Sequence, residues 1–333
     1  LKGALWVLLT PIILFVILMI LLYVPPVQNF IRKQATAIAS DATGMNISVE
    51  RIDLRFPLNL LVRGVQVVQS ENDAVDVQHP DTLLNLGSLN VRVQAWPLLQ
   101  GRVEVDDITL QQVAVNSSTL LEGMRIKGTL GRFFLESHGI DLKKENAVLN
   151  SVELSNTHVQ VTLADTAEAP KDTVETALNW RIALHSLKLK NVSVDLQMPL
   201  DSMTLAANIG DASIEDANAD LKRQFYGWRK FALTGTAVNY DSGTAAPVEG
   251  FDASHIALRD IRIGIDSVMS CGRDMNAVIR EFSMYDRSGL TVTSLTGRLF
   301  ADSTLIRVPH LQLTTPHSEM NLTAQTYWKL VDI

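Results

Sequence analysis

Cysteine is almost absent from this sequence. The single one, Cys271, excludes an intrachain disulfide and any cysteine-based metal site. Its plain reading is a small, partly buried residue, and such scarcity fits an envelope protein that avoids oxidative chemistry and a cytosolic protein alike. Aromatic residues are sparse too, at 6% against 47% hydrophobic residues, so Val, Leu and Ile carry the apolar content. Together with Thr they favour strands over helices. Basic clusters are missing: the formal charge of −7 is spread along the chain, which excludes the cationic face that nucleic-acid binding requires. Catalytic signatures are missing as well. The histidines are scattered without an HExxH pair, and there is neither a G-x-S-x-G elbow nor a P-loop. Gly128-Thr129-Leu130-Gly131 is too short to cradle a phosphate. Asp106 and Asp107 are adjacent, and neighbours in a strand point to opposite faces, so they make a poor acid–base pair. No catalytic residue, cofactor or metal is expected.

One long apolar run is present. Residues 4–23 hold no charge and one polar residue, Thr10. That is about 20 residues, the length that crosses a hydrocarbon core. Leu5, Leu14, Phe15 and Leu21 lie within it, and Trp6 and Tyr23 stand near its ends, where aromatic side chains favour the membrane interface. A cleaved signal peptide has a shorter apolar core and a small-x-small site, which Tyr23-Val24-Pro25-Pro26-Val27 does not offer. The expectation is a transmembrane anchor over residues 1–23, with the rest of the chain outside the cytoplasm. Residues 24–44 predict a short amphipathic helix: Val27, Phe30, Ile31, Gln34, Ile38 and Ala42 follow helical spacing, and Gly44 suits a stop. Capping of the following β region is its expected role. Residues 45–333 form that region. The chain opens on Leu1 and closes on a strand-like Tyr327-Trp328-Lys329-Leu330-Val331, so it is expected to be part of a longer protein.

The most informative feature is a spacing. Apolar residues recur two apart, then three, then two again. Val103, Val105, Ile108, Leu110, Val113 and Val115 show it most fully. Val152, Leu154, Val159 and Val161 repeat it with Thr157 in the middle slot, and Leu187, Leu189, Val192, Val194 and Leu196 follow. So do Ile256, Leu258, Ile261, Ile263 and Ile265, with a shorter copy at Val308, Leu311 and Leu313. The two-residue step is a strand with one apolar face. The three-residue step breaks phase, and a β-bulge restores it by adding a residue. The inserted pairs are polar: Asp106-Asp107, Gln111-Gln112, Lys190-Asn191 and Arg259-Asp260. The fold expected is mainly β: behind the two helices, a long, twisted, groove-like sheet with a hydrophobic inner face. An ordinary β-sandwich is the alternative. Residues 164–171 read as an exposed loop, and residues 217–230 as a helix or a structured loop.

Four stretches resemble the N-terminal part of the AsmA-like/TamB family of bacterial envelope proteins. They are the apolar run with Val24-Pro25-Pro26-Val27-Gln28, then Thr43-Gly44-Met45-Asn46-Ile47-Ser48-Val49 and the strand after it, then Phe56-Pro57-Leu58-Asn59-Leu60, and lastly Ala95-Trp96-Pro97-Leu98-Leu99-Gln100-Gly101-Arg102-Val103 with Val105-Asp106-Asp107-Ile108. They cover residues 1–116, and the Phe-Pro-Leu variant is closest to the Bacteroidetes type. The resemblance implies an inner-membrane anchor and a periplasmic β-groove. Its function would be phospholipid transport between the inner and outer membranes, with help to outer-membrane protein assembly. It also implies an outer-membrane barrel partner, met through a C-terminal region not recognisable here. The groove would be lined by the apolar residues named above. The rival function is a membrane-anchored β-sandwich scaffold or interaction module that carries no lipid.

Overall fold

The computed structural model describes residues 25–55, 58–68, 82–94, 97, 104–121, 124–141, 144–163 and 179–327. The chain divides into two compact units, Leu1–Val115 and Asn116–Ile333.

The described part of the first unit starts with helix α1 (Pro25–Thr43). Two prolines start it, where missing N–H groups cost nothing. Gly44 ends it at φ +69°, its N–H returning to the Ser40 carbonyl at 2.9 Å. Strands β1 (Asn46–Arg55), β2 (Asn59–Val68), β3 (Thr82–Val93) and β4 (Val105–Leu121, in this unit as far as Val115) follow as an antiparallel meander. The helix lies along β1. Arg32 Nη1 donates to the Glu50 carbonyl at 2.8 Å, and Gln28 Nε2 to the Leu54 carbonyl at 3.4 Å. Carbonyls of the outermost strand thus accept from helix side chains at two places along its edge. Leu83 on β3 is the one large side chain that is fully buried among the described residues.

The second unit contains β5 (Met124–Asp141), β6 (Asn146–Leu163), β7 (Arg181–Met198), β8 (Met203–Asp220), β9 (Phe225–Ser242), β10 (His255–Cys271) and β11 (Asp274–Asp286). Short β12 (Thr291–Val292) precedes β13 (Ser294–Ala301), β14 (Leu305–Thr314) and β15 (Glu319–Tyr327). Neighbours in sequence are neighbours in the sheet, except that β12 and β13 both pair with β11. The pairs are antiparallel apart from β6 and β7, which run parallel with Leu154 beside Leu189. Element contacts in this unit are between strands adjacent in the sheet, so the described strands make a single layer.

The three-residue steps take a specific form. Asn156, Asn191, Gly235 and Asp260 have φ between +52° and +61°, and each is the second residue of an inserted pair. In β6, β7 and β8 the extra residue is matched in the neighbouring strand, so pairing continues across it without a shift. Left-handed Asn156 faces Gly131, where a Cβ would stand 2.8 Å from the Asn156 Cβ. Left-handed Asn191 faces Gly210, where a Cβ would stand 2.8 Å from the Gly235 carbonyl oxygen. The kinks therefore line up across the strands as one crease.

Three expectations are corrected here. The groove-like sheet is open and uncurled instead: β15 does not return to β5. A one-sided bulge adds twist, whereas kinks matched from strand to strand fold the sheet along a line without coiling it. Among the described residues no helix is long and apolar enough to cross a membrane. The one long helix among the described residues carries Arg32, Lys33 and Asp41, and residues 4–23, where the span was expected, lie outside the described residues. The readings that needed a span fall with it: single-pass inner-membrane placement with a periplasmic bulk, anchored phospholipid transport between two membranes, and an anchored scaffold. Lastly, residues 217–230 are the end of β8, a tight turn and the start of β9. Asp220 Oδ1 accepts the Arg223 N–H at 3.1 Å, and Leu221 N–H reaches the Trp180 carbonyl at 3.0 Å. Side-chain capping of a turn outweighs helical composition over so short a stretch. The loop expected at residues 164–171 lies outside the described residues.

Candidate functional site: an uncovered apolar sheet face

The cross-strand register turns the sequence spacing into continuous rows on one face. Phe133, Leu154, Leu189, Ala212, Leu233, Ile263 and Phe282 form one row from β5 to β11. Leu135, Val152, Leu187, Ile214, Phe231, Ile265 and Ile279 form the next. Beyond the crease, Val159, Val194, Ala207, Val238 and Leu258 make a third, and Val161, Leu196, Leu205, Tyr240 and Ile256 a fourth. Most of these side chains are half-buried, and Val194 is 38% exposed. No second layer of described elements covers them.

Burial is deep beside the crease. Thr157, Val192, Thr236 and Ile261, at 3–6% exposure, occupy the slot after the left-handed residue in β6, β7, β9 and β10. Where that slot is threonine, its hydroxyl donates back across the kink, from Thr157 to the Ser155 carbonyl at 3.3 Å and from Thr236 to the Thr234 carbonyl at 3.5 Å. A carbonyl at the kink is thereby satisfied.

In the first unit, Val105, Ile108, Leu110, Val113 and Val115 lie opposite Val93, Val91, Leu89, Leu86 and Leu84 of β3. They form the face of that unit alone. Val103 and the anchor residues Leu5, Trp6, Leu14, Phe15, Leu21 and Tyr23 lie outside the described residues. Asp106 and Asp107 have separate partners: Gln94 Nε2 donates to Asp106 at 2.6 Å, and Arg92 pairs with buried Asp107.

The opposite face of the second unit is polar. A second set of inserted pairs, including Glu215-Asp216, Arg229-Lys230 and Asp266-Ser267, carries an ion network that the sequence reading missed. Arg229 Nε donates to Asp216 at 2.7 Å and its Nη2 pairs with Glu215. His185 Nδ1 stands 2.6 Å from Asp216, and Lys230 Nζ 3.5 Å from Glu215. The Arg229 hydrogen bonds hold both carboxyls below their ordinary range and raise the guanidinium in turn. Leu184-His185-Ser186-Leu187 and Ile214-Glu215-Asp216-Ala217 are three-residue steps, so the signal was legible in the apolar spacing.

One constellation on this face has catalytic residue types. His158 Nδ1 lies 2.8 Å from Ser193 Oγ, and its Nε2 lies 3.6 Å from Asp195. The trio comes from strands in parallel register, stands partly exposed, and sits where backbone N–H groups are engaged in the ladder. An acyl-transfer site needs donors aimed at a developing oxyanion, which a flat ladder withholds. The 3.6 Å separation is also too long for the hydrogen bond that would orient the base. Among the described residues no group of three or more His, Cys, Asp or Glu side chains could hold a metal. No family model matches the chain, and no curated protein matches it.

Proposed function

We propose that the second unit is a non-enzymatic binding protein whose uncovered face holds the acyl chains of phospholipid. The observation that carries this reading is the unbroken run of apolar rows from β5 to β11 with no second layer of described elements above them. Contiguous apolar surface of this kind marks a site that is covered in use. Each methylene moved from water onto such a face contributes about 0.8 kcal/mol, so a chain of a dozen carbons outweighs the loss of its freedom. The crease supplies a line of deeper burial without a closed pocket, which suits a long flexible ligand better than a compact one. The likeness of residues 1–116 to AsmA-like/TamB proteins is the reason for choosing phospholipid among apolar ligands, and membership of that family is part of the proposal.

Photocrosslinking tests it. A photoreactive amino acid replaces Leu154, Leu189 or Ile263 in turn, with Lys188 and Lys230 on the polar face as controls. Capture of labelled phospholipid at the first set and not at the second is expected. Crosslinks confined to the protein at all five positions would sink the reading.

A further inference from the structure

We propose that β15 is the docking edge for a second copy of this chain. The two β15 strands run antiparallel about a two-fold axis normal to the sheet, with Thr323 against the partner's Thr323. The contact does not depend on the acyl-chain reading above.

Among the described residues β14 is the only strand beside β15. Proteins blunt such an edge with lysine, proline, a bulge, a short strand or a covering helix. The outermost strand of the first unit has a helix beside it, since α1 bonds to β1. β15 carries none of these devices. It is nine residues long, holds neither lysine nor proline, and has Glu319 as its sole charge. Where its register with β14 shifts, the extra residue lies in β14, at Pro309-His310, so β15 itself is not bulged.

The register identifies the free backbone groups. Thr293 N–H donates to the Thr314 carbonyl at 2.9 Å, so Thr314 turns to the β13 side of β14. Backbone direction alternates along a strand, which turns Leu313 toward β15 and makes Leu313 and Met320 a hydrogen-bonded pair. The same alternation along β15 aims the N–H and C=O of Asn321, Thr323 and Gln325 at the open edge. Two of their side chains are tied back to β14 instead. Thr323 Oγ1 donates to the Pro309 carbonyl at 3.1 Å, and Gln325 accepts from Arg307 Nε at 3.2 Å.

A second copy is the occupant because β15 is complementary to itself. Thr323 meets the partner's Thr323, Asn321 meets the partner's Gln325, and Glu319 meets the partner's Tyr327. Each of these pairs exchanges both backbone bonds. Between them Leu322 meets the partner's Ala324, and Met320 meets the partner's Thr326. Hydroxyl, amide and apolar pairs of this kind support a ladder, and no like charges stand opposite each other. Moving the axis to Asn321 or Gln325 leaves part of the strand unpaired. Met320 and Leu322 lie beside Leu313 and Leu311 on the apolar face, so the faces of two copies join into one. One strand against one strand is a small interface, and the dimer is expected to dissociate at ~10–100 μM. Below that range the chain is monomeric and β15 is open to solvent.

The test uses the full chain with Cys271→Ser, carrying either Leu322→Cys or Ala324→Cys. In the proposed register these two positions form a non-hydrogen-bonded pair with Cα atoms about 4.5 Å apart, within disulfide reach. Mild oxidation of the two variants mixed is expected to give a disulfide-linked dimer. Either variant alone gives none, because each position stands roughly 7–8 Å from its own copy. Sedimentation equilibrium of the Cys271→Ser chain at low salt is expected to show monomer and dimer in exchange. Thr323→Lys sets two ammonium groups opposite each other and weakens the dimer roughly tenfold or more. High salt recovers part of that loss, and thermal melting of the dilute monomer stays unchanged. A monomer at every concentration overturns the inference. A dimer untouched by Thr323→Lys and not captured by the mixed cysteines is held elsewhere and overturns it too. Linkage of Leu322→Cys to its own copy overturns the register and the axis with it.

Discussion

At the scale of single residues, the sheet depends on a small number of backbone positions. Gly210 has little room for a side chain because the Gly235 carbonyl oxygen would lie 2.8 Å from its Cβ. Gly210→Ala should therefore lower stability by about 1–3 kcal/mol in a urea titration. Asn191 is left-handed, and the conformation penalises β-branching. Asn191→Val should cost about 1–2 kcal/mol, while Asn191→Gly should cost little beyond the amide hydrogen bond to Asn156. Charge at the second set of kinks gives a pH prediction. Asp216 and Glu215 are held below their ordinary values, chiefly by hydrogen bonds from Arg229. Their contribution is present above the unfolded carboxyl range near pH 4 and is lost as pH falls through the lower folded values. Arg229→Gln raises those folded values, so acid unfolding followed by circular dichroism should begin at a higher pH. An unmoved midpoint would show that the network does not couple to folding. The inserted polar pairs were legible as phase breaks. Their left-handed member and the glycine opposite were not, because a glycine's partner is known only from the register.

At the scale of elements, the helix and the strands differ in how well they are shielded. α1 lies on β1 through Arg32 and Gln28, whereas β15 is exposed along nearly its whole length, with Met320 and Leu322 at 48% and 40%. Hydrogen exchange should therefore be fast in β15 and slowest in β7 and β8, which are paired on both sides. Equal protection across these strands would contradict that ranking. The strands with bulky residues in every slot were readable from spacing alone. β8 was hidden because Ala207, Ala212, Ala217 and Ala219 fill its apolar slots, and alanine carries little contrast. β9 was hidden at its start, where Phe225, Tyr226 and Trp228 after a charged turn resemble a helix in composition. The parallel pairing of β6 with β7 was not legible at all: alternation says which way a side chain faces but not which way the next strand runs.

For the second unit as a whole, exposure is the rule and deep burial the exception. Leu189 lies half-buried on the uncovered face, so Leu189→Lys should cost about 1 kcal/mol or less of stability while sharply reducing amphiphile binding. Val192, at 6% exposure beside the crease, should not separate the two: Val192→Lys buries an unpaired charge and should unfold the sheet locally. Comparing the two variants by thermal melting and by lipid binding checks whether the face serves the ligand or the fold. Residues such as Val152, Leu154, Leu187 and Ile263 were visible as a set in the sequence, since period-two spacing reports a shared face. That no second layer of described elements covers this face is a tertiary fact, and the same spacing would serve a sandwich equally well.

The crease also governs how such a sheet can change over generations. A strand gained or lost through duplication or deletion must carry its turning point at the same height as its neighbours, with a residue able to face it. A strand whose kink sits two positions away would meet a glycine where it needs bulk and bulk where it needs glycine. The line running from Gly131 to Gly235 therefore works like the notch on a key. It lets the array lengthen or shorten by whole strands while rejecting those cut to a different pattern.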